Sequence, residues 1–229
     1  MATAGLVGGL GPETTVDYYR RILAAWQGHD PSTAPHLIID SIDVQEIFRL
    51  VEFDRAGLAE YLSASVNRLA RAGADFAAIT ANMPHLAFRE VAGRSPIPLV
   101  SIIATCADAA AAHRVKRLAL LGTRFTMEAS MYPDELGGRG IEVVVPSESE
   151  RAFIHDHYVG ELLKGTFRSE VRAQVEAIVA RLRDEEHVDG VILGGTELTL
   201  LLPSATVAEL PAFNTTALHV DAIVKRLRA

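Results

Sequence analysis

Short runs rich in Val, Ile and Leu recur along this chain, each followed by a longer stretch whose apolar residues return every three or four positions. That alternation restricts the fold more than any other feature, because it is the signature of βαβ units built around a parallel sheet. Strands are expected at residues 5–9, 36–41, 76–80, 99–102, 117–122, 142–145, 190–193 and 212–213. These runs lack strict in–out alternation, as strands covered by helices on both faces do. Helices are expected at residues 14–27, 55–72, 104–113, 149–164, 169–185 and 216–228. The last three carry charges opposite an apolar side.

Two passages occur twice, in the same order. Leu6-Val7-Gly8-Gly9-Leu10-Gly11-Pro12-Glu13-Thr14-Thr15 leads on to Tyr18-Tyr19, and Leu120-Leu121-Gly122-Thr123-Arg124-Phe125-Thr126-Met127 leads on to Met131-Tyr132. Each is a strand, a glycine-containing turn, threonines at a helix start, then an aromatic. Ile79-Thr80-Ala81-Asn82-Met83-Pro84-His85 is echoed by Leu193-Gly194-Gly195-Thr196-Glu197-Leu198, each a strand end breaking into small and polar residues. The echoes predict a duplicated half and two similar α/β lobes facing each other. The first lobe is expected to take residues 1–102 plus 212–229, the second residues 103–211.

With 229 residues, 49% of them hydrophobic, each lobe can bury a core of its own. A net charge of -7 argues against nucleic acid, whose phosphates demand a basic face. No apolar run approaches the roughly 20 residues that span a bilayer. The N-terminus lacks a basic start and a hydrophobic signal core, so the expected location is cytoplasmic. The single cysteine, Cys106, rules out an intrachain disulfide and a cysteine-based metal site. His155-Asp156-His157 does not suit one metal either, because neighbouring side chains on a helix diverge; no metal is expected.

Gly8-Gly9-Leu10-Gly11-Pro12 follows a strand and opens a helix. Glycines there allow a sharp turn and close approach to a ligand, and exposed amides at the helix start attract an anion. A dinucleotide fingerprint would need a third glycine where Pro12-Glu13-Thr14 stands, and Glu13 would repel a pyrophosphate. A small carboxylate suits the turn better. Asn82 and Thr196, with Glu197, lie just beyond strands, where ligands of open α/β sheets bind. They offer hydrogen bonds without adding positive charge, although Thr196 is equally suited to cap a helix. His85 could act as an acid or base, or serve a structural role. Lys164, before Gly165, sits at a helix end that favours a cation.

Together these residues resemble the aspartate/glutamate racemase family of cofactor-independent amino-acid racemases. The resemblance spans nearly the whole chain: the turn from Gly8 to Thr15, residues 81–85, residues 121–127, Lys164-Gly165, residues 193–197 and residues 213–216. It implies two Rossmann-like lobes, each with a parallel four-stranded sheet, related by a pseudo-twofold with a cleft between them. It further implies a homodimer, no pyridoxal phosphate, metal or nucleotide, and a small carboxylate or amino acid as the guest. Family members use one thiol per lobe, an acid and a base on opposite faces of the substrate α-carbon.

Here the first thiol position matches Ala81 and the second Gly195, and neither side chain can transfer a proton. Cys106, on the helix after the fourth strand, is misplaced to compensate. Met83 replaces a usual threonine. By position, Asn82, Thr126, Lys164 and Thr196 match the family's carboxylate-holding groups, with Gly11 in the first turn and Gln45 in the second as further contacts. Substitute proton carriers are His85, Glu197 and Thr126, with His85 and Glu197 ahead because a threonine hydroxyl does not titrate near neutrality. One-sided chemistry (isomerisation, elimination or decarboxylation) suits such a site better than racemisation. The alternatives are a non-catalytic carboxylate-binding homologue and an engineered Cys-to-Gly inactive variant.

Overall fold

Phe76-Ala77-Ala78-Ile79 is buried along its whole length, and so is nearly all of Thr3–Gly8, which explains why these runs carry no polar face. The computed structural model describes residues 1–229, the side chain of Pro12 excepted. The chain divides into two compact units, Met1–Ile102 with Thr216–Ala229, and Ile103–Thr215.

The first unit runs β1 (Thr3–Gly8), α1 (Pro12–Gln27), β2 (His36–Ser41), α2 (Val44–Phe53), α3 (Arg55–Arg71), β3 (Phe76–Ile79), a 3₁₀ turn (Met83–Ala87), α4 (Phe88–Arg94) and β4 (Leu99–Val100). The sheet order is β2-β1-β3-β4, all parallel. Leu58, Leu62, Val66 and Leu69 form the buried stripe of α3. A separate core gathers Tyr18, Ile22 and Trp26 of α1, Leu6 and Phe76 of the sheet, and Val220, Ile223, Val224 and Leu227 of the chain's last helix. Each of those large apolar side chains contributes roughly 1.5–3 kcal/mol by leaving water, so the C-terminal helix is an integral part of this unit.

The second unit runs α5 (Ile102–His113), β5 (Arg117–Leu121), α6 (Arg124–Met127), α7 (Met131–Gly137), β6 (Glu142–Val144), α8 (Glu148–Gly160), a 3₁₀ turn (Leu162–Lys164), α9 (Ser169–Glu186), β7 (Gly190–Leu193), α10 (Thr196–Leu201), β8 (Thr206–Val207) and β9 (Leu210–Asn214), before α11 (Thr215–Leu227) leaves it. Its sheet order is β6-β5-β7-β9-β8. The first four strands are parallel and repeat the order of the first sheet, with β5, β6, β7 and β9 in the places of β1, β2, β3 and β4. The short β8 adds an antiparallel edge to that pattern of four.

One expected boundary moves. The strand at 212–213, assigned from sequence to the first lobe, pairs with β7 through Ala212, Phe213 and Asn214 and belongs to the second sheet. The β8–β9 hairpin turns the chain back beside β7, and only α11 returns to the first unit. The helix expected at 149–164 stops at Gly160 and continues as a 3₁₀ turn closed by Gly165 in the left-handed region, φ 75°. Among the described residues, no helix is long and apolar enough to cross a membrane.

Candidate functional site

In the first unit the carboxyl ends of β1 and β3 lie side by side. Thr80 ties them, donating to the Val7 carbonyl through its backbone N–H at 3.1 Å and its hydroxyl at 2.8 Å. The turn after β1 is fixed by its own helix: Gly9 N–H donates to Thr15 Oγ1 at 2.8 Å, and Thr15 Oγ1 donates to the Gly11 carbonyl at 3.3 Å. Ile42 N–H closes the far side on the Gly8 carbonyl at 3.0 Å. Gly11, at φ 138°, is the residue before α1, a backbone shape that glycine alone adopts easily. One amide expected to face an anion, that of Gly9, is therefore spent on Thr15.

After β3, Ala81, Asn82 and Met83 are all buried. Gln45 lies apart at the start of α2, exposed, its N–H donating to Asp43 Oδ1 at 2.8 Å. His85 is held at both ring nitrogens. Nδ1 bonds the Ala81 carbonyl at 2.8 Å, and Nε2 accepts from the Ile102 backbone N–H at 3.2 Å. Those partners fix a neutral ring with the proton on Nδ1. Burial, then the neighbouring His219, pushes its pKa down to about 3. His85 is a staple for the Ala81 loop; the proton-carrier role considered for it from sequence is not available to a ring so engaged.

His219 on α11 is built the same way. Nε2 donates to the Val100 carbonyl at 3.1 Å, Nδ1 meets the Tyr18 hydroxyl at 2.9 Å, and burial pushes its pKa down to about 4. Both folded values lie below the ordinary histidine value of about 6.5, so between pH 6.5 and 4 the unfolded chain binds more protons. Stability is then complete above pH 6.5 and falls as the pH drops through that window. At pH 5 the loss is about 2 kcal/mol per histidine. Urea midpoints measured at pH 7 and pH 5 check this, and His219→Gln is expected to remove about half of the histidine-linked loss. Carboxylates held below their usual range, such as Asp40 beside Arg68, act equally in both proteins and cancel.

In the second unit, Thr123 caps α6, and its hydroxyl lies 3.2 Å from that of buried Thr126. The denser cluster stands at the carboxyl end of β7. Glu197, 1% exposed, receives the hydroxyls of Tyr158 and Thr196 on one carboxylate oxygen, the latter at 2.8 Å. The single hydroxyl proton of Thr196 is thus spent on Glu197, so Thr196 does not also donate to a guest carboxylate. Burial and the adjacent Glu197 charge push the Tyr158 phenol well above its ordinary value, and it stays protonated at neutral pH. The turn bearing Lys164 packs against α10, with Lys164 itself exposed.

Tyr158 is the residue that sequence reasoning missed. On α8 it sits four positions after buried Ile154 and reads as one more member of an apolar stripe. Its role shows only in space. A Cβ built on Gly195 would lie 2.5 Å from Tyr158 Cε2, 2.9 Å from its hydroxyl and 3.0 Å from Cζ. The ring fills the room that a side chain at 195 would need. Cys106 is fully buried in α5, which pushes its thiol up to about 12 and leaves it inert. His155 and His157 serve separate partners, Arg124 N–H and Glu161.

Two sheets that share one order of four parallel strands, each with polar groups beyond its strand ends, define an α/β protein of repeated βα units. The model of the Asp/Glu/Hydantoin racemase family matches residues 7–223, and the chain belongs to that family. The broad specificity amino-acid racemase RacX of Bacillus subtilis is 23% identical over 222 residues, covering 93% of this chain and 92% of that protein. An aspartate racemase homologue from Pyrococcus horikoshii superposes with a TM-score of 0.85 at 32% identity, all of both chains covered. A glutamate racemase from Francisella tularensis, solved with D-glutamate, shares the fold at TM-score 0.71 and 16% identity, covering 99% of this chain and 81% of that one.

Proposed function

We propose that this racemase-family protein binds a small amino or dicarboxylic acid and moves a proton at its α-carbon from one side only, without a thiol. The observation that carries the reading is that the strand-end loop of each unit keeps its polar groups while the side chains at 81 and 195 hold no sulfur. Thr126 and Lys164 of the second unit are the groups proposed to hold carboxylate. Glu197 is the group proposed to accept the proton. The acid class has the support of the D-glutamate held by the Francisella relative. Inversion needs an acid and a base on opposite faces, and neither Ala81 nor Gly195 can transfer a proton, so isomerisation, elimination or decarboxylation fits better than racemisation.

Calorimetric titration with L-aspartate and L-glutamate, with proton NMR of the same acids in heavy water, tests the reading. Binding with exchange of the α-proton is the expected result; neither acid binding, or binding without exchange, would sink it. Lys164→Met removes one charged hydrogen bond from the guest without touching the core, and should weaken binding about 10- to 100-fold.

A further inference from the structure

We propose that Tyr158 is a catalytic residue of this site, its phenol standing where a side chain on residue 195 would stand and relaying a proton between the guest's α-carbon and Glu197. This rests on the proposed function above and names the group through which Glu197 acts. Three observations support it. Tyr158 Cε2, hydroxyl and Cζ lie within 3.0 Å of the Cβ position that Gly195 leaves open, so the phenol occupies the start of the path a residue-195 side chain would take. The hydroxyl is anchored on Glu197, whose same oxygen also receives Thr196 at 2.8 Å, so the phenol is aimed and does not rotate freely. Tyr158, Thr196 and Glu197 are each at most 5% exposed, which excludes the water that would otherwise compete for the proton.

The relay balances with the groups present. The α-C–H bond breaks and its electron pair stays on carbon; the proton forms a new O–H bond on the phenol oxygen. The proton that the phenol already carries passes to Glu197 Oε2, which becomes a neutral carboxylic acid. In reverse, Glu197 returns its proton to the phenol as the phenol protonates the carbanion. The phenol is never left as a phenolate beside a carboxylate, the state that their mutual repulsion opposes.

Heavy-water exchange of L-aspartate and L-glutamate, read beside calorimetric binding, separates this inference from the reading beneath it. Tyr158→Phe keeps the ring in its place and deletes only the hydroxyl. Exchange is expected to fall by about 100-fold or more, with affinity within about threefold of the parent. Glu197→Gln should match it; should the phenylalanine variant not fold, 3-fluorotyrosine placed at position 158 carries the test, since a relay through the phenol changes the exchange rate with the phenol's acidity and an unchanged rate overturns it. Parent-like exchange in Tyr158→Phe, with loss in Glu197→Gln, overturns the relay and leaves Glu197 acting directly. Neither acid bound, or no exchange by the parent, overturns the function itself.

Discussion

Gly195→Cys is expected to disrupt the second unit and to leave α-proton exchange no faster. The new Cβ would lie 2.5 Å from Tyr158 Cε2, and Tyr158 is itself buried, so the ring must leave its place. Overfilling a packed site costs about 1–3 kcal/mol, and losing the Tyr158–Glu197 hydrogen bond leaves a buried carboxylate with one donor fewer, roughly another 1–3 kcal/mol. At about 2–4 °C per kcal/mol for a chain of this size, calorimetric melting should fall by several degrees. Adding Tyr158→Val, which clears the space, should recover part of that loss, a positive coupling that a double-mutant cycle measures. If Gly195→Cys melts like the parent, Tyr158 does not occupy that room in solution.

Gly9→Ala is the single methyl expected to harm the first unit most. Gly9 has φ 79°, and a Cβ there would meet the Ile42 carbonyl oxygen at 2.2 Å and its nitrogen at 2.7 Å. The obstacle is backbone, held by the Ile42 N–H bond to the Gly8 carbonyl, and cannot swing aside as a side chain end does. Left-handed strain costs about 1–3 kcal/mol and overpacking about as much again, so the turn after β1 should lose roughly 2–6 kcal/mol. Urea unfolding measures it. Gly93→Ala, where a Cβ meets nothing within 4 Å, serves as the comparison and should differ little from the parent.

Gly190–Leu193 was legible because burial along its whole length leaves nothing but apolar residues in it; His36–Ser41, an edge strand of half-buried and exposed residues, was legible from its Leu37-Ile38-Ile39 run alone. Helices of ten residues or fewer were not. Val44–Phe53, Phe88–Arg94 and Thr196–Leu201 are too short for a periodic signal to rise above their neighbours, and two of them begin inside loops already read for chemistry. The strand at 212 was visible, but its sheet was not, because a two-strand hairpin decides which neighbour it meets. At the site, polar residues at strand ends could be read from sequence; their partners could not. His85 lost its chemical role to Ala81 and Ile102, four and seventeen residues away, and Thr196 lost its proton to the next residue. Tyr158 lies thirty-nine residues before the carboxylate it serves, and no pattern in the chain joins them.

The return of α11 to the first unit has a consequence for biosynthesis. Domains ordinarily mature in the order in which the ribosome makes them. Here Val220, Ile223, Val224 and Leu227, the last large members of a core begun at Ala4, emerge after every residue of Ile103–Thr215. The half that is started second is finished first, and the half that is started first waits for α11 to cover its apolar face.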